Sequence, residues 1–362
     1  MILAVVGTRP EVIKLAPVIH ALRRRDLPVQ IVATGQHVDA RMMGTFLADY
    51  RLAVDHTLTL AHRDLFGSFA EILGGLGRIV REVSPRLVLA VGDTTTVLAA
   101  ALAARKCGCA FGHVEAGLRA FSRELPEEEH RICADAIADL LFAPTRIAAD
   151  NLAREHVNGA VIVSGNSVLD ALRANAPAYV APELRGGVLV TIHRQETVDD
   201  PHRLAHVLAA LARLALAHTV EWPLHPRTLA MIVRHGLAVP ARVTAGGPIG
   251  HAAFLARLAA ARVVVTDSGG VQEEAAIVGT PCVCVREHTE RPETLLAGVG
   301  VLAGCTSDAI VAAVHEIERS WEQFARPVPQ LYGDGHASDV IAEACAAFLG
   351  RDRARPQLVA VR

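Results

Sequence analysis

Short apolar runs recur along this chain at intervals too wide for hairpins, and the stretches between them have helical periodicity. The runs are Ile2–Val6, Val29–Ala33, Leu87–Val91, Ala110–Val114 and Ala160–Val163. Strands covered on both faces read in this way, and parallel strands need crossover connections that helices supply. The rhythm breaks around Pro177, Pro182 and Gly186-Gly187, which reads as a domain linker. It restarts with Val188–Ile192, Val220–Pro223, Arg242–Ala245, Val263–Thr266 and Cys282–Val285. The expected fold is therefore α/β, with two Rossmann-like domains of parallel strands facing one cleft. Residues 1–170 would form the first domain and 171–335 the second. Gly333 and Gly335 permit a sharp reversal into a last helix, His336–Leu349, so that 336–350 crosses back onto the first domain. Residues 351–362 would form a charged, frayed tail.

Composition narrows the function classes. The chain has 362 residues, enough for about two cores, and 51% of them are hydrophobic. A formal charge of -2 provides no long-range field to gather polyanions, and 4% aromatic content argues against a stacking platform for single-stranded nucleic acid. The start, Met1-Ile2-Leu3-Ala4-Val5-Val6-Gly7, lacks a basic leader and reaches Arg9 too soon for a signal peptide. Arg213 interrupts the best apolar stretch, so no membrane span is expected. Seven cysteines include the pairs Cys107/Cys109 and Cys282/Cys284, spaced to share one face of a strand and without the spacing of a zinc site; they read as buried thiols of a cytoplasmic protein.

The polar residues with chemical potential follow the apolar runs. Asp93 comes just after Leu87–Val91 and Glu115 just after Ala110–Val114, so both carboxylates should emerge at the carboxyl edge of a sheet, where open α/β folds bind ligands. Glu127 opens a helix read over Glu127–Leu141, with Pro126 ahead of it suiting a helix start. Clustered carboxylates can divide acid and base roles between them, whereas Glu128 and Glu129 read as capping and surface charge. After the first run, Gly7-Thr8-Arg9-Pro10-Glu11 turns into a helix carrying Lys14, a generic anion site without the spacing of a Walker loop or of GxGxxG.

The second half has its own phosphate-type turn. Val263–Thr266 leads into Asp267-Ser268-Gly269-Gly270 and a helix to Val278; backbone N–H groups of Ser268, Gly269 and Gly270 would hold a diphosphate, and a carboxylate one turn inward could accept from ribose hydroxyls. His193 and Arg194, then His225 and Arg227, follow neighbouring strands on the same edge. The cluster Arg286-Glu287-His288-Thr289-Glu290-Arg291-Pro292-Glu293 reads either as a salt-bridged loop or as part of this site. A nucleoside diphosphate held by the second domain, with its attached group presented to carboxylates of the first, satisfies both halves.

Taken in order, Gly7-Thr8-Arg9-Pro10-Glu11 with Lys14, Thr34-Gly35-Gln36-His37, Gly92-Asp93-Thr94-Thr95, His113-Val114-Glu115-Ala116-Gly117-Leu118-Arg119, Pro126-Glu127-Glu128, Gly165-Asn166, His193-Arg194, His225-Pro226, Asp267-Ser268-Gly269-Gly270 with Gln272-Glu273-Glu274, and Thr289-Glu290-Arg291-Pro292-Glu293 resemble the non-hydrolysing UDP-N-acetylglucosamine 2-epimerases. The resemblance is collinear over nearly the whole chain. It implies the two-domain fold of one large glycosyltransferase class (GT-B type) and interconversion of UDP-N-acetylglucosamine and UDP-N-acetylmannosamine. UDP would be eliminated to leave a 2-acetamidoglucal and then re-added, without metal or nicotinamide.

Carried over by motif, the resemblance implies catalytic roles for Asp93, Glu115, Glu127 and His193. It implies substrate contacts from Arg9, Lys14, Arg119, His225, Phe254, Ser268, Gly269, Gly270, Glu274 and Arg291, with Glu274 on the ribose. Gln36 and His37 match the neighbourhood of a second, activating substrate site. The expected partner is a UDP-sugar, with neither nucleic acid nor membrane, and the expected assembly is a homodimer. The chain departs from the family pattern in several places: Glu129-His130 stands where an apolar residue and Asn are usual, Thr197 where Asn is expected, and His251 where an aromatic residue commonly helps enclose the uracil. These changes alter the surroundings of the carboxylates and leave the carboxylates themselves intact. The rival readings are a specialised sugar nucleotide as substrate, a hydrolysing relative releasing UDP and N-acetylmannosamine, a retaining glycosyltransferase and a non-catalytic sensor.

Overall fold

The computed structural model describes residues 1–36, 44, 47–62, 64–174 and 177–352. The described chain divides into two compact units, one comprising Met1–Leu118, Pro126–Ala171 and the chain from Tyr332 onward, the other Arg119–Leu125 and Leu172–Leu331. Among the described residues, no helix is long and apolar enough to cross a membrane.

The first unit is built on a parallel sheet of β1 (Ile2–Val6), β2 (Val29–Ala33), β3 (His56–Thr57), β4 (Leu87–Val91), β5 (Ala110–Val114), β6 (Leu140–Ala143) and β7 (Ala160–Val163) in the order β3-β2-β1-β4-β5-β6-β7. Strand order reverses at β1/β4, the topological switch point at which such sheets bind ligands. β1 and β4 are buried at every position, as their unbroken apolarity requires, whereas the edge strand β7 is open to solvent, with Val161 and Val163 exposed. Helices Arg9–Arg24, Leu65–Val83 and Thr95–Lys106 cover the sheet.

The segment read as a helix over Glu127–Leu141 divides in the structure. The helix ends at Ile137, and Leu140–Ala143 becomes β6, inserted between β5 and β7. Its four residues are all buried, so a short apolar run directly after a helix merged with the helical pattern. The two-residue β3 is too short to leave a periodic signal.

The second unit repeats the plan with β8 (Gly186–Thr191), β9 (Val220–Pro223), β10 (Val243–Gly246), β11 (Ala261–Thr266), β12 (Cys282–Cys284) and β13 (Gly300–Leu302), all parallel and ordered β10-β9-β8-β11-β12-β13. Its switch point is β8/β11. The three-residue β13 escapes a sequence reading for the same reason as β3. Gly186 and Gly187 open β8 instead of lying in a linker, and a Cβ on Gly187 would come 2.5 Å from Thr219 Oγ1.

Cys282 and Cys284 share a buried strand, but Cys107 caps a helix and Cys109 lies directly ahead of β5. The thiols are also not uniformly buried: Cys133 is exposed, because it sits on the outer face of the helix Pro126–Ile137.

Gly333 and Gly335 adopt φ of 103° and 78° ahead of the helix Ala337–Asp352, which packs on the helix Arg9–Arg24. Ile341, Ala342, Cys345 and Leu349 join the core around β1, and Ser338 donates its N–H to Asp170 at 2.9 Å. Arg24–Asp339 and Arg25–Glu343 pairs lie in solvent along the seam and add little. Apolar burial fixes this helix: Ile341→Ala should cost roughly 2–5 kcal/mol of stability of the first unit. Urea denaturation would read it, and a loss within a few tenths of a kcal/mol would show that the helix does not belong to that core.

Candidate active site

Two groups of polar residues stand at the two switch points, each within one unit. In the first, β1 runs into Gly7 and the helix Arg9–Arg24 begins at once. Gly7 is obligatory here, since a Cβ would strike Thr96 Oγ1 and stand 2.6 Å from Thr34 Oγ1. Glu11, one turn into the helix, folds back so that Oε2 accepts from Gly7 N at 2.5 Å and Thr8 N at 3.1 Å, satisfying N-terminal donors as a capping box does. Its Oε1 accepts from Thr94 Oγ1 at 2.6 Å, so one carboxyl links the turn after β1 to the turn after β4. Burial pushes the Glu11 carboxyl up to about 7, against the lowering effect of its donors and with help from nearby Asp93.

Glu115 follows β5 with φ 67°, a left-handed conformation costly for a residue with a side chain and one that redirects the chain at the sheet edge. Its buried carboxylate takes Lys14 Nζ at 2.6 Å and Asn166 Nδ2 at 3.1 Å on Oε1. Oε2 lies 3.7 Å from where a Cβ on Gly92 would stand, beside the turn that carries Asp93. Lys14, read from sequence as part of an anion site, is thus the counter-ion of Glu115.

Asp93 is held at both ends. Arg131 NH1 donates to its Oδ2 at 2.8 Å, and Arg131, itself 1% exposed, also pairs with Glu128 at 3.3 Å. Glu128 is therefore not surface charge: it is 3% exposed and sits one helical turn before the arginine it neutralises. Glu129 is exposed. His130 Nδ1 lies 2.9 Å from the Asp93 carbonyl oxygen, which can only accept, so this nitrogen carries the proton. The histidine that departs from the family pattern still supplies a donor to the Asp93 backbone.

Beneath this turn, fully buried His113 bridges Asp135 Oδ1 at 2.6 Å and the Gly92 carbonyl at 2.7 Å, while Asp135 Oδ2 takes Gly117 N at 3.0 Å. Glu127 lies half-buried in the first turn of its helix, and Arg9 half-buried at the first position of its own. Gln36 Oε1 accepts from Thr96 N at 3.1 Å and Thr96 Oγ1 at 2.7 Å, which ties it to the helix after β4; His37 lies outside the described residues. Arg119 is buried and falls in the segment Arg119–Leu125 of the second unit.

In the second unit, fully buried Asp267 follows β11 directly and accepts from His193 N at 3.0 Å and Arg194 N at 2.8 Å, so it shapes the turn after β8. Burial raises its carboxyl to about 6, against those hydrogen bonds and the charge of Arg194. The His193 ring stands 5.5 Å from that of His225, whose Nδ1 accepts from Arg227 N at 3.2 Å, leaving the His225 proton on Nε2.

The helix Gly269–Val278 starts directly after Ser268. The Ser268 N–H already donates to Thr266 Oγ1 at 3.0 Å, so the donors that the helix start can offer an anion are those of Gly269 and Gly270 and the Ser268 hydroxyl. A Cβ on Gly269 would strike Glu290 at 2.5 Å, whereas one on Gly270 would stand in open space. Glu274 is 6% exposed and takes His251 Nε2 on Oε1 at 2.7 Å; Phe254 lies half-buried one turn along from His251. The charge cluster is an interlocked set of pairs: Arg286 with Glu290 at 2.6 Å and Glu196 at 3.1 Å, Arg291 with Glu273, and Arg194 with Glu290 at 3.5 Å. Sequence reasoning gave no role to Glu11, Arg131, Asn166 or Asp267; three of the four lay inside quoted motifs, and Arg131 lies just beyond one.

The family model for UDP-N-acetylglucosamine 2-epimerase matches residues 20–346. The chain belongs to the UDP-N-acetylglucosamine 2-epimerase family. It is an epimerase, and so an isomerase, of two-domain GT-B type. The UDP-2,3-diacetamido-2,3-dideoxy-D-glucuronate 2-epimerase of Pseudomonas aeruginosa is 38% identical, the match covering 94% of this chain and 98% of that protein. The UDP-N-acetylglucosamine 2-epimerase of Methanococcus maripaludis is 33% identical, over 93% of this chain and 96% of that protein. Among solved structures, the Methanocaldococcus jannaschii UDP-GlcNAc 2-epimerase in complex with UDP-GlcNAc and UDP superposes with a TM-score of 0.86 at 31% identity, covering 96% of this chain and 100% of that one.

The raised Glu11 carboxyl gives this epimerase a pH signature. Between the unfolded value of 4.5 and about 7 the folded state holds a proton that the unfolded chain has released, so stability attributable to Glu11 falls as pH rises through that window and is level above it. Measured by urea midpoints, the wild type should lose stability relative to Glu11→Gln between about pH 4.5 and 7. Parallel profiles for the two proteins would contradict this.

Proposed function

We propose that the protein interconverts UDP-N-acetylglucosamine and its C2 epimer UDP-N-acetylmannosamine by eliminating and re-adding UDP. A carboxylate takes the C2 proton as the C1–oxygen bond breaks, leaving a C1–C2 double bond in the glycal and releasing UDP; the steps then reverse with the proton delivered to the opposite face. The observation that carries the reading is the pair of anchored carboxylates, Asp93 and Glu115, at the carboxyl ends of adjacent strands, each fixed by a buried cation. Fixed groups need no reorganisation as charge moves, which is where acid–base catalysis gains its advantage.

In this reading Asp93, Glu115 and Glu127 share the acid and base roles, and Lys14 serves by holding Glu115. Arg9, Arg119, Arg291, His193 and His225 serve the diphosphate and sugar. Ser268, Gly269 and Gly270 receive the diphosphate at the helix start, Glu274 the ribose, and Phe254 the base. Gln36 and His37 belong to an activating second site. The setting is the cytoplasm, where all seven cysteines remain as thiols, and the enzyme works as a homodimer, which sedimentation would register as twice the 38.4 kDa chain mass.

A second reading is favoured by the 38% identity to the Pseudomonas aeruginosa enzyme: the same chemistry on a UDP-2,3-diacetamido uronate. Both sugars carry the C2 acetamido group and hydrogen that the reaction needs, so the carboxylate roles are common to the two.

Proton NMR of products formed in deuterium oxide tests the proposal. UDP-N-acetylglucosamine should yield its C2 epimer with deuterium at C2. Free sugar and UDP in equal amounts would indicate hydrolysis instead, and turnover confined to the diacetamido uronate would favour the second reading. Asp93→Asn, Glu115→Gln and Glu127→Gln should each lower turnover by roughly two or more orders of magnitude while UDP binding persists. Near-normal turnover in all three would remove this assignment of the carboxylates.

A further inference from the structure

We infer that His251 is a positioning residue for nucleotide binding: it clamps one oxygen of Glu274 so that the other is aimed at a ribose hydroxyl. The inference rests on the proposal that Glu274 receives the ribose. His251 opens the helix His251–Ala260, directly after the N-cap Gly250. Glu274 projects from the helix Gly269–Val278, which begins at the glycine turn. The two helices pack on each other, and His251 Nε2 meets Glu274 Oε1 at 2.7 Å with the side chains 11% and 7% exposed.

The chemistry of the contact is asymmetric. An ionised carboxylate only accepts, so the His251 ring nitrogen carries the proton and donates. A carboxylate has two oxygens, and a donor engaged with Oε1 fixes the rotation of the whole group about its terminal torsion, which is otherwise broad. Oε2 then has one orientation in which to accept, and a ligand hydroxyl meets a preset acceptor without freezing a rotor on binding. A purely apolar side chain at position 251, phenylalanine or leucine, would keep the wall near Phe254 but leave Glu274 unclamped. His251 thus departs from the family pattern in a way that supplies a donor as well as a ring.

The probe is UDP against its 2′-deoxy and 3′-deoxy analogues, measured by calorimetry on the full-length protein. In the wild type at least one deoxy analogue should bind about tenfold more weakly than UDP, the scale of one charge-assisted hydrogen bond. Glu274→Ala should erase that difference. His251→Phe, which keeps a ring and removes the donor, should shrink the difference to about twofold while weakening UDP itself, and His251→Gln, which returns an N–H donor at similar reach, should restore it. His251→Leu provides a second donor-free variant should phenylalanine not be accommodated.

A loss confined to general affinity, with the hydroxyl dependence intact in His251→Phe and His251→Leu but gone in Glu274→Ala, would overturn the role of His251 and leave the ribose assignment standing. Hydroxyl dependence intact in Glu274→Ala would overturn both.

Discussion

Burying the Glu115 carboxylate at the end of β5, on a backbone with φ 67°, is the demand around which the first unit is arranged. An isolated buried charge is prohibitively costly, so a cation must be delivered to it from elsewhere in the chain. Lys14 does this from the helix after β1, and only because Gly7 lets that helix start close against Thr34 and Thr96. Asn166 adds a second donor from the turn after β7, where the backbone N–H of Asn166 is in turn held by the Tyr332 carbonyl at 2.8 Å. The carboxylate is thereby coupled to the chain reversal that returns the last helix to this unit.

The same logic governs Asp93, with Arg131 as cation and Glu128 as the charge that balances it. Glu11 is the exception that clarifies the rule. It is held by backbone and hydroxyl donors without a paired cation in those contacts, and its carboxyl is pushed up to about 7. Asp267 in the second unit is also held by main-chain N–H groups after β8, and burial raises it to about 6 even though the charges of Arg194 and Arg286 act to lower it. Carboxylates at the sheet edges thus fall into two kinds. Asp93 and Glu115, each compensated by a buried cation, are proposed for chemistry, whereas Glu11 and Asp267 shape turns.

Much of this was legible in the sequence because parallel α/β folds write their strands as apolar runs and place polar residues at the ends of them. Asp93, Glu115, His193 and Ser268 could each be located at a strand end by that rule alone. What could not be read were the partners. Nothing in the spacing of Lys14 and Glu115, or of Glu128, Arg131 and Asp93, announces a contact between distant segments, so Lys14 read as an anion ligand and Glu128 as surface charge. Strand β6 was hidden for a local reason: four apolar residues just beyond a helix continue its pattern. His251 could be seen as a departure from the family, but only its packing against Glu274 gives the departure a physical meaning.

If Lys14 is there to neutralise Glu115, a double-mutant cycle on stability at neutral pH tests the arrangement most directly. Lys14→Met removes the cation that faces a buried carboxylate and should cost roughly 3–5 kcal/mol. Adding Glu115→Gln to Lys14→Met should recover most of that loss, because the neutral amide no longer needs a counter-ion. Losses that simply add in the double variant would contradict the pairing as the constraint on which the first unit depends.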